Sequence, residues 1–169
     1  MLVGMSNEIL SLTVTNKLLL EAAGRHHIND VRDALSGGAD VNVQDIDGNT
    51  PLMNAMKWNL ESWTLSSQVV NASNKQLATV TLLLKARADV KLTNNNGKDA
   101  VWNAINDEGG DFLNKKLIEL LLANGVDEND FKNQYPNYAN LVARSLLTND
   151  IDGAGLNPLD LILNNCTLA

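Results

Sequence analysis

Aromatic residues make up only 4% of this 169-residue chain, which also has just three prolines and one cysteine. β-Sandwiches and barrels usually contain more aromatic and β-branched residues and more turn-forming residues, so the composition favours a helix-rich protein. The single cysteine, Cys166, cannot form an internal disulfide, which fits a reducing compartment. Because neither histidine is near Cys166 in sequence, we interpret it as an incidental residue rather than a catalytic thiol.

The chain is also short of basic residues, with 13 against 20 acidic ones, a net charge of −7 and a pI near 4.7. Nucleic acids and anionic membranes favour basic surfaces, so neither is expected as the main partner. No apolar run approaches the roughly 20 residues of a membrane helix, and the N-terminus lacks the features of a secretory signal. We therefore expect a protein of the cytoplasm, or one delivered into a host cytoplasm, that is monomeric by itself.

What the chain does contain is enough apolar sequence for one folded domain. Hydrophobic residues make up 44% and charged residues 20%, which excludes a compositionally disordered protein. No stretch rich in proline, serine or glycine divides the sequence, and its length suits a single domain.

Three stretches of the chain repeat one another. They read GGADVNVQDIDGNTPLMNA (37–55), KARADVKLTNNNGKDAVWNA (85–104) and NDIDGAGLNPLDLIL (149–163). In the first, Gly48 suits a tight turn that needs positive φ, and Thr50 can cap a helix that begins at Pro51. Asp99 and Asn157 can cap the matching helices of the other two stretches.

Each unit is predicted to form a helix, a loop, a second helix and an extended turn. Gly38 and Gly125 suit left-handed stops for the second helices. Asp40, Asp89 and Asp127 recur at the same place in each unit, which favours a structural role in accepting turn N–H groups. The predicted core residues are Leu52, Ala55, Leu82, Leu83, Leu84, Leu120, Leu121 and Leu122.

The chain resembles the ankyrin repeat in its Thr-Pro-Leu and Gly-Ala-Asp-Val-Asn sequences and in the spacing between them. The resemblance is carried by the segments DIDGNTPLMNA, LLLKARADV and GGADVN. The resemblance extends over roughly residues 16–165 and implies an all-α solenoid of about four stacked helix–loop–helix units with short turn tips and helical caps. The expected parts are an N-terminal cap at 1–15, repeat 1 at 16–44, repeat 2 at 45–93, repeat 3 at 94–131, and a degenerate repeat with a C-terminal cap at 132–169.

The later units depart from the family pattern. Leu35 and Leu84 are 49 residues apart and Leu84 and Leu122 are 38 apart, against a family period of about 33. The surplus falls between the two helices of each unit, and we predict that the insertion at 60–76 lengthens both helices into a hairpin. Arg87 stands where the helix-stop glycine is usual.

The candidates for chemistry are few. His26 and His27 are adjacent, so on a helix they cannot chelate one metal, and the resemblance implies that His27 bonds loop backbone. The carboxylates of residues 107–111 flank two glycines but lack the alternating ligands of an EF-hand. Since no catalytic fingerprint appears, we expect no cofactor and no enzyme, with an enzyme or metal site at 107–111 as the minor alternative.

The resemblance implies a protein–protein interaction module, an adaptor or effector of microbial type. Its partner would be contacted through the concave face made by the turn tips and first helices, or through the 60–76 insertion. The acidic charge favours a basic partner, and an inhibitor or immunity protein that neutralises a basic toxin enzyme is the alternative. The predicted partner-binding residues are Gln44, Ile46, Asp47, Asn49, Lys57, Trp58, Trp63, Thr93, Asn95, Asn96, Lys98, Asn106 and Asp107.

Overall fold

The computed structural model describes residues 2–57, 66–106 and 111–137, with side chains within 13–57, 72–106 and 114–137. In these ranges the chain forms seven α-helices and no β-strand, which confirms the all-α prediction. The helices are α1 (Leu2–Gly24), α2 (Ile28–Ser36), α3 (Pro51–Met56), α4 (Ser66–Lys85), α5 (Ala100–Asn106), α6 (Asp111–Ala123) and α7 (Glu128–Gln134).

The helices pack as successive pairs, α1 with α2, α3 with α4, and α5 with α6. The first helices of the pairs contact one another in the order α1, α3, α5, and the second helices do so in the order α2, α4, α6. Both rows contribute side chains to one continuous apolar core, so the stacking of the pairs buries apolar surface that a single pair would leave exposed. Its largest fully buried apolar side chains are Leu19, Val31, Leu52, Met53, Met56, Val80, Leu83, Leu117, Ile118 and Leu121.

The core residues predicted from the repeat pattern are confirmed. Two of them, Leu82 and Leu122, are half-buried and pack against the core. The others are buried: Leu52, Ala55, Leu83, Leu84, Leu120 and Leu121.

The predicted helix starts in the described region are also found. Thr50 Oγ1 accepts a hydrogen bond from the backbone N–H of Met53 at 3.2 Å, and Pro51 is the first residue of α3. Asp99 Oδ1 accepts from the N–H of Trp102 at 2.7 Å, at the start of α5. Each cap satisfies an N–H that the first helical turn leaves without an intrahelical partner.

The second helices all end in the same way. Gly38, Arg87 and Gly125 have φ of 85°, 67° and 108°. In each case the N–H of the next residue donates to the carbonyl five positions earlier, at 3.0, 3.0 and 3.2 Å. This is a Schellman stop, so replacing the usual glycine by Arg87 leaves the turn unchanged while placing a side chain in a left-handed conformation.

The recurring aspartates are structural, as predicted. Asp40, Asp89 and Asp127 each accept the N–H two residues further on, at 2.9 Å. The N–H of Asp40 donates to Asn16 Oδ1 and the N–H of Asp89 donates to Asn42 Oδ1, both at 2.8 Å. These asparagines therefore tie each loop to the part of the chain before it.

The prediction that the insertion lengthens both neighbouring helices is wrong for α3. α4 has 20 residues, but α3 ends at Met56, and Lys57 is extended with φ −75° and ψ 131°. The Gln76 side-chain amide donates to the carbonyls of Ala55 and Met56 at 3.1 and 3.0 Å, and His26 Nε2 also lies 3.1 Å from the Ala55 oxygen. These side chains bind the carbonyls that a longer helix would have used, so α3 can stop there.

Two further features differ from the expected organisation. α1 runs from Leu2 to Gly24 without interruption, through the boundary placed after residue 15. α7 is a helix that the repeat pattern did not predict. Asp127 caps it by accepting from the N–H groups of Asn129 and Asp130, both at 2.9 Å, and Phe131 is buried.

Some predicted features lie outside the described residues. They are residues 58–65 of the insertion region, residues 107–110 of the carboxylate loop, and residues 138–169 with the third repeat stretch, Asn157 and Cys166. Among the helices that are described, none is both long enough and apolar enough to cross a membrane.

Candidate functional site

Eight of the thirteen predicted partner-binding residues lie in or directly before two turns, which we call turn 1 (Asp45–Asn49) and turn 2 (Asn94–Lys98). In turn 1, Asp45 Oδ1 accepts from the N–H groups of Asp47 and Asn49 at 3.0 and 2.8 Å. The N–H of Gly48, which has φ 80°, donates to the Asp45 carbonyl at 2.9 Å. The tight turn with glycine at positive φ is thus confirmed.

Turn 2 repeats this arrangement with an amide in place of the carboxylate. Asn94 Oδ1 accepts from the N–H groups of Asn96 and Lys98, both at 3.0 Å. The N–H of Gly97, with φ 70°, donates to the Asn94 carbonyl at 2.9 Å. The two turns therefore use one geometry built from different residues, since only a side-chain oxygen at the first position is required.

Turn 2 is bonded directly to turn 1. The N–H of Asn95 donates to the Asp47 carbonyl and the Asn95 side-chain amide donates to the Ile46 carbonyl, both at 3.0 Å. Asn94 Nδ2 donates to Asn49 Oδ1 at 2.8 Å. Ile46 and Asn95 hold the same position in their turns, 49 residues apart.

Gln44 adds a further link between the turns. Its side-chain amide donates to the Gly48 carbonyl at 2.7 Å and to the Thr93 carbonyl at 3.1 Å. The paired turns are thus held by backbone and side-chain bonds together, so their shape is set before any partner binds.

Asn49 was predicted to contact a partner from a turn tip, which requires an exposed side chain, but only 6% of it is accessible. Its amide lies 3.3 Å from Asp45 Oδ2 while its oxygen accepts from Asn94. Asn49 therefore joins the two turns and cannot also contact a partner from this position.

The other predicted turn residues divide by exposure. Lys98 is half-buried, with its Nζ 3.5 Å from the centre of the Trp102 ring. The exposed residues are Gln44, Ile46, Asp47, Thr93, Asn95 and Asn96. We call these six the turn surface.

Ile46 is the most exposed large apolar side chain in the described region, at 94%. It stands at the apex of turn 1, where turn 2 has Asn95. A β-branched residue is unusual in a tight turn, and the equivalent asparagine shows that the turn does not need one. The turn geometry thus gives no reason for an aliphatic side chain at this position.

A chain of polar contacts connects turn 1 to the end of α3. Asn54 Nδ2 lies 3.5 Å from Asp45 Oδ2, and Lys57 Nζ lies 3.0 Å from Asn54 Oδ1. The exposed ammonium of Lys57 therefore lies on the same side of the molecule as turn 1. Asn106, also exposed, ends α5 and donates from its side chain to the Trp102 carbonyl at 2.8 Å.

Trp102 is a surface residue that the sequence reasoning missed. It is half-buried and carries the Lys98 ammonium over its ring, in the geometry of a cation–π contact. The spacing of Lys98 and Trp102 was the available signal. The tryptophans predicted to bind a partner were instead Trp58, near the end of a first helix, and Trp63 of the insertion.

The remaining predicted residues lie outside the described part of the chain: Trp58, Trp63 and Asp107. The side chain of Asp111 is likewise not described, although α6 begins there. In the described ranges no three His, Cys, Asp or Glu residues group in a way that could hold a metal ion.

The structural histidine is His26, which corrects the assignment of that role to His27. His26 has φ 56°, is only 7% exposed, and bonds the Ala55 carbonyl. Burial lowers the pKa of His26 below its ordinary value of 6.5. His27 is exposed, with Nδ1 3.3 Å from the Asp30 carboxylate. The left-handed residue between α1 and α2 points its ring inward, and its neighbour points out.

Neither any protein-family model nor any curated protein matches this chain.

Proposed function

We propose that this chain is a non-enzymatic, ankyrin-type repeat protein that binds another protein through the turn surface. The proposal draws support from the three stacked helix pairs, from the identical stops of their second helices, and from the two turns with one geometry. Proteins built in this way offer extended surfaces on which loops carry the recognition residues.

The observation that carries the proposal is the exposure of Ile46. A single exposed aliphatic residue is ordinary on a protein surface. Ile46, however, stands at the apex of turn 1, and turn 2 forms the same geometry with the polar residue Asn95 at that position. An apolar side chain held by a rigid turn loses little conformational entropy on binding. We therefore assign Ile46 the role of an apolar anchor.

Polar groups around Ile46 would set orientation and partner choice. Asp47 has an exposed carboxylate beside Ile46, and the whole chain carries a net charge of −7. This charge favours a basic partner, because complementary fields speed association and suppress wrong partners. Inhibition of a basic enzyme is the second candidate function, and it predicts that the partner loses its activity when bound.

The test is affinity capture from a lysate of the source organism with the wild type and two variants. Ile46→Asn places the residue of turn 2 at the same position of turn 1, so the turn should persist while the anchor is lost. Val14→Asn makes the same chemical change at an aliphatic residue of α1 that is 61% exposed.

We expect a stoichiometric partner with the wild type and with Val14→Asn, and little or none with Ile46→Asn. Equal capture by all three proteins would mean that the binding site lies outside the turn surface. Capture of no protein by the folded wild type would contradict the binding function itself.

A further inference from the structure

We infer that Asn96 is a site of spontaneous deamidation, which converts its side-chain amide to aspartate and isoaspartate. Asparagine reacts most readily before glycine, because glycine has no Cβ to obstruct the approach of its own backbone nitrogen. The described residues contain two such pairs, Asn96–Gly97 and Asn124–Gly125. The inference is independent of the proposed function.

The reaction needs only water as co-reactant. The backbone nitrogen of Gly97 loses its proton and attacks Cγ of Asn96, and the side-chain nitrogen leaves as ammonia. Water then opens the resulting cyclic imide at either carbonyl, which gives aspartate or isoaspartate. The net change replaces the amide nitrogen by an oxygen from water and adds one negative charge to the turn surface.

Asn96 lies in the more open of the two turns. Its side chain is exposed and has no hydrogen-bond partner among the described residues. Apart from its neighbours in the chain, no atom of the described residues lies within 4 Å of the place where a Cβ on Gly97 would stand. Within the described ranges the Gly97 N–H donates only to the Asn94 carbonyl of the same turn, so a local opening of that turn frees the nucleophile.

The equivalent pair of turn 1 is enclosed. The Asp47 carbonyl accepts from the N–H of Asn95, and the Cβ position of Gly48 is 2.8 Å from that same nitrogen. Movement of Gly48 is opposed by Asn95, which packs against it, whereas Gly97 has no such neighbour among the described residues outside its own turn. Asn96 therefore occupies the position at which the repeated turn can open most freely.

The second asparagine–glycine pair is protected by a different contact. Asn124 Nδ2 donates to the Leu120 carbonyl at 2.7 Å, which holds the side chain against the end of α6. Reaction at Asn124 must first break that bond. A neutral hydrogen bond of ordinary strength lowers the reactive fraction about fivefold.

The experiment is incubation of the folded protein in mildly alkaline buffer, followed by peptide mapping with mass spectrometry that separates isoaspartate from aspartate. The same incubation in denaturant removes the effect of structure and serves as the reference. We expect Asn96 to react about fivefold faster than Asn124 in the folded protein and at a similar rate in denaturant.

Two variants sharpen the result. Gly97→Ala, after circular dichroism shows that it folds, should slow the reaction at Asn96 in both conditions, whereas Gly125→Ala should leave Asn96 unaffected. Equal rates at the two sites in the folded protein, or a faster rate at Asn124, would overturn the inference. So would a ratio of rates that is the same with and without denaturant.

Discussion

Alanine at Gly48 and alanine at Gly97 should destabilise the protein by very different amounts, although both glycines hold one position in one kind of turn. Their φ angles are 80° and 70°, so a side chain costs about 1–2 kcal/mol at either. The reduction in unfolded-chain entropy is common to both changes and cancels in the comparison.

The difference arises from the packing of turn 2 on turn 1. A Cβ on Gly48 would lie 2.6 Å from Asn95 Oδ1 and 2.8 Å from the Asn95 backbone nitrogen. A Cβ on Gly97 would have no atom of the described residues within 4 Å, apart from its neighbours in the chain. To relieve the clash, Asn95 must move, and its two bonds to turn 1 are lost or weakened. At about 1 kcal/mol for each bond, Gly48→Ala should lose about 2 kcal/mol more than Gly97→Ala.

Urea unfolding at equilibrium, followed by circular dichroism, measures both free energies of unfolding. For a protein of this size the predicted difference corresponds to a gap of roughly 4–8 °C between the melting temperatures of the variants. Equal losses would refute the reasoning, because they would mean that the two turns do not support each other. A larger loss for Gly97→Ala would contradict the assignment of turn 2 as the open one.

Three further changes test the local chemistry of the fold. Thr50→Val removes the hydroxyl cap of α3 at nearly constant volume and should lower the free energy of unfolding by about 1 kcal/mol in urea titrations. Arg87→Gly relieves a side chain at φ 67° and should raise that free energy by about 1 kcal/mol. Because burial lowers the pKa of His26 in the folded state, the unfolded chain binds more protons just below pH 6.5. The stabilisation that depends on neutral His26 should therefore be fully present above pH 6.5 and be lost as the pH drops through the folded-state pKa of His26. The variant His26→Asn should show a weaker dependence of the melting temperature on pH in melts at several pH values.

Each of these changes has an outcome that contradicts it. Thr50→Val without loss would mean that the Oγ1 contact to Met53 does not stabilise α3. Destabilisation by Arg87→Gly would show that the arginine side chain stabilises the fold by more than its left-handed backbone costs. An unchanged pH dependence in His26→Asn would assign the acid sensitivity to other groups.

The turns and caps were predictable because their chemistry is local. Thr50 before Pro51 defines a helix start with few alternatives, and Gly48 after Asp45 defines a tight turn. The stops at Gly38 and Gly125 follow from the same kind of local rule. Such features depend on residues within one turn of chain, so a single sequence contains the needed information.

Features that depend on the neighbouring unit were harder to predict. Asn49 is polar and lies in a turn, so exposure was the natural expectation, yet it is buried because Asn94 arrives from 45 residues away to bond it. The early end of α3 likewise depends on His26, which precedes α3 in the chain, and on Gln76, which follows it. Such contacts are set by the stacking of the units, which no local pattern contains.

Site prediction followed the same division. The exposure of Ile46 was predicted because its turn was, whereas Trp102 was missed because its surface position depends on how α5 lies in the stack. His26 rather than His27 is the buried histidine because the backbone at position 26 is left-handed. A left-handed conformation at a non-glycine residue has no clear signal in the sequence.

The central claim is that the turn surface binds a partner protein with Ile46 as its apolar anchor. The most direct measurement is titration calorimetry of the captured partner with the wild type, Ile46→Asn and Val14→Asn. Loss of an anchor contact costs about 2 kcal/mol, so Ile46→Asn should bind about 30-fold more weakly while Val14→Asn binds as the wild type does. Equal affinity of Ile46→Asn and wild type, with both proteins folded, would contradict the claim.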